Sequence, residues 1–362
     1  MPVSIESLRG EFPVFERIAY LNAGTDGPLP TAAAEASAAE LLGEARRGRT
    51  SEHFERRHDL GDRLRTAYAR ALGCDASDVA LTTCTSEGLA SVIDGLGLAP
   101  GEEILTSEEE HPGLLGALAA AREVSGVSVR AVPLQDIAGA VRPSTRLLAC
   151  SHVSWMTGRL APSLAGLDVP VVLDGAQGVG AIPVDVRALG CDAYAGAGQK
   201  WLCGPDGIGM LYVSPALRSH VEVRRRGYGN LADPGAGLDA GLHDDARRFD
   251  TFALSAEALA CALTAVELLE GIGWRQVHER AIELAARLAE MLACAGREVT
   301  PRGRSTLVSF ASPDPLAERA RLGELGVVLR DIPGETRLRA SVGAWNSESD
   351  LRRLLDGLET HA

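Results

Sequence analysis

This chain of 362 residues contains a single lysine, and that lysine is its first candidate for a chemical role. Of the 36 basic residues, 35 are arginine and one is lysine, Lys200. The bias of a GC-rich coding sequence can deplete lysine, and arginine replaces it as a surface charge. A guanidinium does not deprotonate in proteins, however, so arginine cannot replace lysine as an amine nucleophile. The surviving lysine is therefore a candidate for a Schiff base with a carbonyl group.

An aspartate at a matching position strengthens this interpretation. Asp174 ends the apolar run 170–174, and Lys200 follows the next predicted strand, 191–196, in a glycine-rich turn. Ligands of open α/β sheets bind at the carboxyl edge of the strands, where both side chains are expected. Alone, Asp174 could equally cap a turn or a helix. Together, a lysine that forms a Schiff base and a carboxylate that keeps a pyridine nitrogen protonated are what pyridoxal phosphate (PLP) requires.

Two further segments could complete such a site. Thr85 and Ser86 follow the predicted strand 78–83 and open a helix, where hydroxyls and backbone N–H groups can bind a phosphate. Plain helix capping by Ser86 is the alternative. His111 begins another helix at the same sheet edge, where it could stack on a pyridine ring or move protons. His152 also lies near a strand end, but we interpret it as mainly structural.

The elements that must position these residues alternate along the chain. After an arm of residues 1–15, helical periodicity predicts helices over 31–48 and 60–72, and later over 86–97 and 111–124. Short apolar runs predict seven strands, over 78–83, 102–107, 127–132, 145–153, 170–174, 191–196 and 208–213. This alternation indicates an α/β fold with a large, mostly parallel sheet covered on both faces.

A second, smaller α+β region is predicted after a loop rich in Gly, Asp and Arg. That loop spans residues 224–247 and marks a domain boundary. Beyond it, two long helices are expected over 255–273 and 274–296. Short strands follow in STLVSF, GVVLR and TRLRASV, and the last predicted helix covers 347–361.

Composition excludes several classes of function. The net charge of −13 disfavours nucleic-acid binding and docking to an anionic membrane. No apolar run approaches the roughly 20 residues of a membrane span, and the acidic start is not a signal peptide. Seven scattered cysteines, an odd number, disfavour a disulfide framework and suit a reducing cytoplasm. We expect no metal site.

The segment VVLDGAQGVGAIPVDVRALGCDAYAGAGQKWLCGPDGIGMLYV closely resembles the class V aminotransferases, which are fold-type I PLP enzymes. The resemblance extends over nearly the whole chain. It begins at YLNAGTDGPLP (20–30) and continues through TTCTSEGL, EEHPGLL and SHVSWMTG. It ends with RRFDTFALS (247–255) and TRLRASVGAWNSESDL (336–351). The most specific part is the D-x-A-Q pattern combined with the lysine.

The resemblance implies a role for each matching position. Lys200 corresponds to the Schiff-base lysine, Asp174 to the partner of the pyridine nitrogen, and Gln177 to the contact of the phenolic oxygen. His111 corresponds to the stacking histidine, and Thr85 and Ser86 to the phosphate turn. Arg339 corresponds to the arginine that binds the substrate carboxylate, a task suited to a bidentate guanidinium. Asn22 falls in a loop that lies over the substrate.

Departures from the family pattern narrow the expected activity. Many members carry Ser-Gly-His before the lysine, whereas this chain has Ala197, Gly198 and Gln199, so Gln199 must replace the histidine as a phosphate contact. The threonine that the family contributes to the partner subunit aligns with Ala253, and Thr251 or Ser255 could substitute. Trp155 stands where desulfurases have Asn and resembles the cystine-lyase pattern.

The cysteines distinguish two branches of the family. Desulfurases need a loop cysteine before the arginine strand to accept sulfur as a persulfide. The matching stretch, VVLRDIPGETR (327–337), contains none. Cys294 lies upstream, and Cys203 resembles a packed thiol that lyase-like members share. A persulfide-forming desulfurase is therefore disfavoured.

The resemblance implies a C–S lyase that eliminates a thiol from cysteine, cystine or a cysteine S-conjugate and releases pyruvate and ammonia. Lys200 would remove the Cα proton, with His111 assisting. The alternatives are an epimerase of the isopenicillin N type, a cysteine desulfurase, or a PLP-binding protein without turnover. A cytoplasmic homodimer with its active site at the interface is expected. The large domain would span 15–247, and the small domain 1–14 with 248–362.

Overall fold

The computed structural model of the chain describes residues 3–251 and 253–359. Three predicted segments, and the predicted small domain of 1–14 with 248–362, extend onto other residues. The predicted arm includes residues 1 and 2, the segment 247–255 includes residue 252, and the last predicted helix includes 360 and 361. These positions lie outside the described residues.

A seven-stranded sheet forms the centre of the molecule. Its spatial order is β2-β8-β7-β6-β5-β3-β4, and β8 runs antiparallel to both of its neighbours while the remaining pairs are parallel. This confirms the predicted mostly parallel sheet of an α/β fold. The strands, preceded by the short β1 at Ala19–Tyr20, are β2 Val79–Thr82, β3 Glu103–Ser107, β4 Ser128–Val132, β5 Thr145–Ser151, β6 Val171–Asp174, β7 Ala193–Ala197 and β8 Gly209–Val213.

Helices cover both faces of this sheet because its central strands are apolar on both sides. Leu148 and Cys150 of β5 belong to one core, and Leu147 and Ala149 belong to the other, as the two-residue period of a strand requires. The helices are α1 Thr31–Arg47, α2 Ser51–Leu72, α3 Thr85–Gly95, α4 Pro112–Ser125, α5 Val186–Leu189, α6 Pro215–Arg218, α7 Ala256–Ile272, α8 Trp274–Cys294, α9 Pro315–Glu324 and α10 Glu348–Glu359.

Two smaller sheets bring the C-terminal residues to the large one. Antiparallel strands β9 (Leu307–Ala311), β12 (Arg337–Ser341) and β11 (Arg330–Asp331) form a three-stranded sheet in the order β11-β12-β9. Strand β10 (Val327–Val328) pairs instead with β1 in parallel. The prediction of a single strand in GVVLR was therefore wrong. The backbone pairs with β1 before Leu329 and with β12 after it.

Helix α2 also differs from its prediction. It begins at Ser51 rather than at residue 60, because its charged first turns are held by ion pairs rather than by an apolar face. Arg56 pairs with Glu40 of α1 at 2.7 Å and with Asp59 at 3.3 Å. Hydrophobic periodicity alone does not detect such a segment.

Helix α7 packs against both parts of the molecule. Leu259 and Leu263 join the core beneath the seven-stranded sheet, and Cys261 and Leu269 join the core that holds Leu8 and Trp345. The domain division at residue 247 stays a prediction. None of the helices within 3–251 and 253–359 has the length and apolarity needed to cross a bilayer.

Candidate active site

A cavity of about 200 Å³ lies at the carboxyl edge of the large sheet and unites most of the predicted site residues. Strands β2, β3, β6 and β7 end beside it, and β11 and β12 of the second sheet close it. Eight predicted residues line it: Thr85, Ser86, His111, Asp174, Gln177, Gln199, Lys200 and Arg339. The ninth, Asn22, does not.

Asp174 is buried and Lys200 is half-buried at the same edge of the sheet. Asp174 ends β6, and its Oδ1 accepts from the Ala176 backbone N–H at 2.9 Å. Burial raises the pKa of Asp174, and the charge of Lys200 opposes that rise. Burial lowers the pKa of Lys200, which Asp174 counteracts. Neither side chain forms an ion pair within the described part of the chain, so the cavity holds an amine that deprotonates readily beside a carboxylate that needs a cation.

The turn that carries Lys200 is held by close backbone packing. The Gly27 N–H donates to the Gln199 carbonyl at 2.7 Å. A Cβ atom at Gly27 would collide with the Lys200 carbonyl oxygen, so only glycine fits there. Cys203 closes the turn by donating its N–H to that carbonyl at 3.1 Å, with φ of 56°. Burial raises the pKa of the Cys203 thiol well above its ordinary value, as suits a packed thiol.

His111 is a neutral ring of fixed orientation. It is the N-cap of α4, and its Nδ1 accepts from the Gly113 N–H at 3.0 Å, which leaves the proton on Nε2. Burial, aided by the charges of Lys200 and Arg330, lowers its pKa to about 4. The ring meets Trp155 edge-on, with centroids 5.1 Å apart. This arrangement suits stacking better than proton donation at neutral pH.

The N-terminus of α3 offers a cradle for an anion. Its N-cap is Cys84, which makes no side-chain capping bond, so the predicted alternative of capping by Ser86 was wrong. The helix begins one residue earlier, at Thr85. Among the described residues, the buried Thr85 Oγ1 and Gln199 Oε1 have no hydrogen-bond partner. Unsatisfied N–H groups, the helix dipole and the unpaired Thr85 hydroxyl together fit a phosphate group, to which Gln199 would donate from its amide nitrogen and not from Oε1.

Gln177 and Asn22 organise the rim of the cavity. Gln177 donates from Nε2 to the Gly24 carbonyl at 2.7 Å and accepts at Oε1 from Trp201 at 3.0 Å. Its amide still has one free hydrogen. Asn22 lies behind the rim and accepts from the Thr25 hydroxyl at 2.9 Å. The loop predicted around Asn22 does reach the site, but through Gly24 and Thr25.

Arg339 is a buried cation that forms no ion pair within residues 3–251 and 253–359. It is fully buried on β12, and it donates from Nη1 to the Trp155 carbonyl at 2.7 Å and from Nη2 to the Thr25 hydroxyl at 3.4 Å. Its Nε has no partner among the described residues. Burial lowers its pKa to about 9. A buried guanidinium facing a cavity is a site for an anionic ligand.

Sequence reasoning missed a second arginine at this end of the cavity. Arg330 is half-buried on β11, contacts the Thr25 hydroxyl at 3.5 Å, and lies 5.4 Å from the centre of the Trp155 ring. Its carboxylate neighbour Asp331 is already paired with Arg319. With 35 arginines in the chain, nothing in the sequence singles out this one. Cys84, Ala176 and Ala197 also line the cavity.

The segment around residue 251 lies elsewhere in a single chain. Thr251 and Ala253 line a separate cavity of about 340 Å³, between α2 and the loop before α7. Ser255 is the N-cap of α7, where its side chain accepts from the Ala258 N–H at 3.4 Å. None of the three reaches the Lys200 cavity of its own chain, so their role across a subunit interface stays a prediction.

The fold and this cavity define an α/β protein with an anion-accepting cavity lined by a half-buried lysine and a buried aspartate. The sequence profile of the family Aminotransferase class-V matches residues 20–354. The chain belongs to the class V aminotransferase family, which confirms the resemblance noted in its sequence.

Its relatives include several different activities. Isopenicillin N epimerase of Amycolatopsis lactamdurans is 29% identical over 381 residues, which cover 94% of each protein. A cysteine desulfurase of Yersinia pseudotuberculosis is 25% identical over 99% of this chain and 98% of its own length. A cystine C–S lyase solved with its product cysteine persulfide is 27% identical, with a TM-score of 0.90 over 96% of this chain and 99% of the lyase. A mutant of that lyase carries glycine covalently linked to its PLP cofactor.

Proposed function

We propose that this protein is a PLP-dependent C–S lyase that eliminates a sulfur leaving group from cysteine, cystine or a cysteine S-conjugate. The observation that carries the proposal is the cavity itself. It joins the only lysine of the chain to a buried Asp174 and to two arginines that form no ion pair with any residue that the structure describes. The 0.90 TM-score to a cystine C–S lyase supports the same activity.

The residues fit PLP at every group of the cofactor. Thr85, Ser86, Gln199 and the α3 N-terminus would hold its phosphate, Asp174 its ring nitrogen, and Lys200 its aldehyde carbon. When bound, PLP supplies an electron sink for the negative charge that develops at Cα of an amino acid. The neutral His111 ring would cover one face of the cofactor, and Gln177 has an amide hydrogen for its phenolic oxygen.

The chain's own residues would divide the remaining work. Arg339 binds the α-carboxylate and fixes which bond at Cα faces the Lys200 amine. The low pKa of Lys200 favours the free amine that takes up the Cα proton. Loss of the Cβ–S bond then releases the thiol. For cysteine the balance is cysteine and water giving pyruvate, ammonia and hydrogen sulfide, and for cystine the sulfur product is cysteine persulfide.

The cysteines favour elimination over sulfur transfer. The stretch 327–337, where a desulfurase needs its acceptor, contains no cysteine. Cys203 is buried, and Cys294 ends α8 on the surface. Cys84 does line the cavity, but it does so at the helix terminus proposed to hold the phosphate. It therefore lies on a different element from the arginines that would hold the substrate.

Epimerisation is the second candidate, because isopenicillin N epimerase is 29% identical over 94% of this chain. An epimerase returns the proton to Cα from the opposite face and keeps the side chain. It would incorporate solvent deuterium at Cα without releasing a thiol.

Product identity separates these reactions. Purified, PLP-loaded protein is given L-cystine or L-cysteine in deuterium oxide, with Lys200→Ala as the inactive control. Pyruvate, alanine and deuterium at Cα of the recovered substrate are measured together. Stoichiometric pyruvate is the result expected for the lyase. Alanine would indicate desulfuration, and deuterated substrate without pyruvate would indicate epimerisation, so either outcome would overturn the proposal.

We also propose a cytoplasmic homodimer. Support comes from exposed apolar side chains on two consecutive helices, Leu41 and Leu42 of α1 and Phe54 of α2, at 52%, 54% and 48% exposure. Exposed apolar surface of this kind is typical of interfaces when it is contiguous. The seven cysteines are all free, as suits a reducing compartment. Sedimentation equilibrium at twice the mass of the chain is expected, and a monomer would contradict the dimer.

A further inference from the structure

A second buried carboxylate lies behind the candidate site and has no place in the chemistry above. Glu110 is 4% exposed and directly precedes His111. It does not line the cavity, and no ion pair within residues 3–251 and 253–359 involves it. A carboxylate that is buried without a cation costs free energy, and a protein keeps such a group where it has a task.

Hydrogen bonds to Glu110 connect the ends of β3 and β5, where backbone pairing between these strands has stopped. The backbone pairing of β3 with β5 ends at Leu105 and Leu148, before either strand finishes. Past that point the Ser107 hydroxyl donates to Glu110 Oε1. The Ser151 N–H donates to Oε1 at 3.0 Å and to Oε2 at 2.9 Å, and the Ser151 hydroxyl donates to Oε2 at 2.6 Å. The carboxylate therefore joins the carboxyl ends of two strands that no longer pair directly.

This junction lies beside the aspartate of the candidate site. Ser151 of β5 is the register partner of Asp174 on β6, and the His152 N–H donates to the Asp174 carbonyl at 2.9 Å. Glu110 thus fixes, through Ser151, the strand end that flanks Asp174. It also anchors the turn that leads into His111. Both groups that would contact the ring of the cofactor depend on the same carboxylate for their position.

Glu110 also interacts electrostatically with Asp174. All the side-chain donors to Glu110 are hydroxyls, and the two ionisable groups that interact with it are Asp174 of β6 and the Cys150 thiol of β5. Burial raises the pKa of Glu110, and the negative charge of Asp174 adds to that rise. The hydrogen bonds from Ser107 and Ser151 partly oppose it, and the resulting pKa is about 7. Above that pH, two negative charges lie behind the position proposed for the protonated ring nitrogen.

We propose that Glu110 is a positioning residue for the cofactor, which acts through Ser151 and Asp174 and supplies a second negative charge that helps to keep the ring nitrogen protonated. The inference rests on the PLP site of the proposed function and is independent of whether elimination, sulfur transfer or epimerisation follows.

The test is the pH titration of the ring nitrogen of bound PLP in Glu110→Gln and wild type, followed by ¹⁵N NMR of labelled cofactor, and the midpoint is the pKa of that nitrogen. Replacing the carboxylate with an amide keeps the shape and removes the charge. Because a negative charge stabilises nearby protonated groups, we expect the midpoint to fall by about one pH unit. We also expect the dissociation constant of PLP to rise about tenfold, measured on the cofactor-free protein by fluorescence.

Two control variants separate charge from structure. Ser151→Ala removes the hydroxyl that donates to Glu110 Oε2 but keeps the backbone donor and the carboxylate, so it should lower the melting temperature and leave the midpoint nearly in place. Glu103→Gln removes a matched carboxylate, 6% exposed, at the opposite end of β3, where Arg130 and Thr145 bind it. It too should destabilise the protein without shifting the midpoint.

Glu110→Asp covers the case in which the glutamine variant does not fold. It keeps the charge but withdraws it by one methylene group, so a smaller downward shift is expected. An unshifted midpoint in whichever of the two Glu110 variants folds would overturn the inference and leave Glu110 a purely structural residue. Failure of the wild-type protein to bind PLP would instead overturn the proposed function, so the two failures are distinguishable.

Discussion

Two arginines face the same cavity, but their surroundings differ. Arg339 is fully buried and bound to the Trp155 carbonyl, whereas Arg330 is half-buried and lies over the Trp155 ring. The Thr25 hydroxyl contacts both guanidinium groups. In the proposed reaction, Arg339 binds the α-carboxylate of the substrate. Arg330 is therefore available for a second negative group, such as the distal carboxylate of cystine.

Arg330→Met should consequently affect substrates unequally. We expect kcat/KM for cystine to fall about 10–100-fold, the loss of a charge-assisted hydrogen bond, and kcat/KM for S-methylcysteine to change less than threefold. Pyruvate release measures both. Arg287→Met is the control, because Arg287 is exposed on α8 and pairs with Glu290 outside the cavity. Equal losses for the two substrates would contradict a second anion site at Arg330.

At the scale of elements, one buried ion pair ties three segments together. Arg65 of α2 binds Asp250 through two hydrogen bonds of 2.9 and 2.8 Å and also donates to the Val79 carbonyl of β2. Asp250 in turn accepts from the Leu81 N–H at 2.8 Å. The pair therefore fixes the edge strand that leads to the α3 N-terminus and the chain that enters α7.

Arg65→Met should destabilise the protein by about 3–5 kcal/mol, because it leaves Asp250 buried without its cation. Urea unfolding of the cofactor-free protein measures the change. Arg63→Met provides the comparison on the same helix. Arg63 pairs with Glu267 at 3.1 Å, but both side chains are nearly half exposed, so less than about 1 kcal/mol is expected. Similar losses for the two variants would show that burial of the Arg65 pair is unimportant.

At the scale of the whole molecule, buried histidines make stability depend on pH. Burial lowers the pKa of His111, His152 and His278 to about 4 in each case. The unfolded chain, with histidine near 6.5, binds these protons first. The stabilisation is therefore complete above pH 6.5 and is lost as the pH falls from 6.5 towards 4.

His278→Phe isolates one of these contributions. The side chain stacks on Trp274 with ring centroids 5.6 Å apart, a contact that phenylalanine can keep. Between pH 8 and pH 5, we expect the variant to gain about 2 kcal/mol in unfolding free energy relative to wild type. Urea titrations at the two pH values measure it, with the exposed His220→Gln as control. A difference that does not change with pH would refute the assignment.

The sequence alone determined the class of the protein and the chemistry at its centre. The order of apolar runs and helices predicted the mostly parallel sheet, because the hydrophobic periodicity of each helix or strand can be read from its own stretch of sequence. A single lysine and an aspartate at a strand end predicted where the site lies, and the resemblance to the class V aminotransferases added residues such as Gln177 and Arg339. Eight of the nine predicted residues line one cavity.

Only the tertiary structure decided what depends on contacts between distant segments. Arg330 and Thr25 are 305 positions apart in the chain and meet only when the second sheet closes over the first. The break between β10 and β11 depends on two different partner strands. Glu110 resembles any acidic residue in a run of three until the ends of β3 and β5 enclose it. Burial and partner choice are set by the whole fold, so a local pattern cannot specify them.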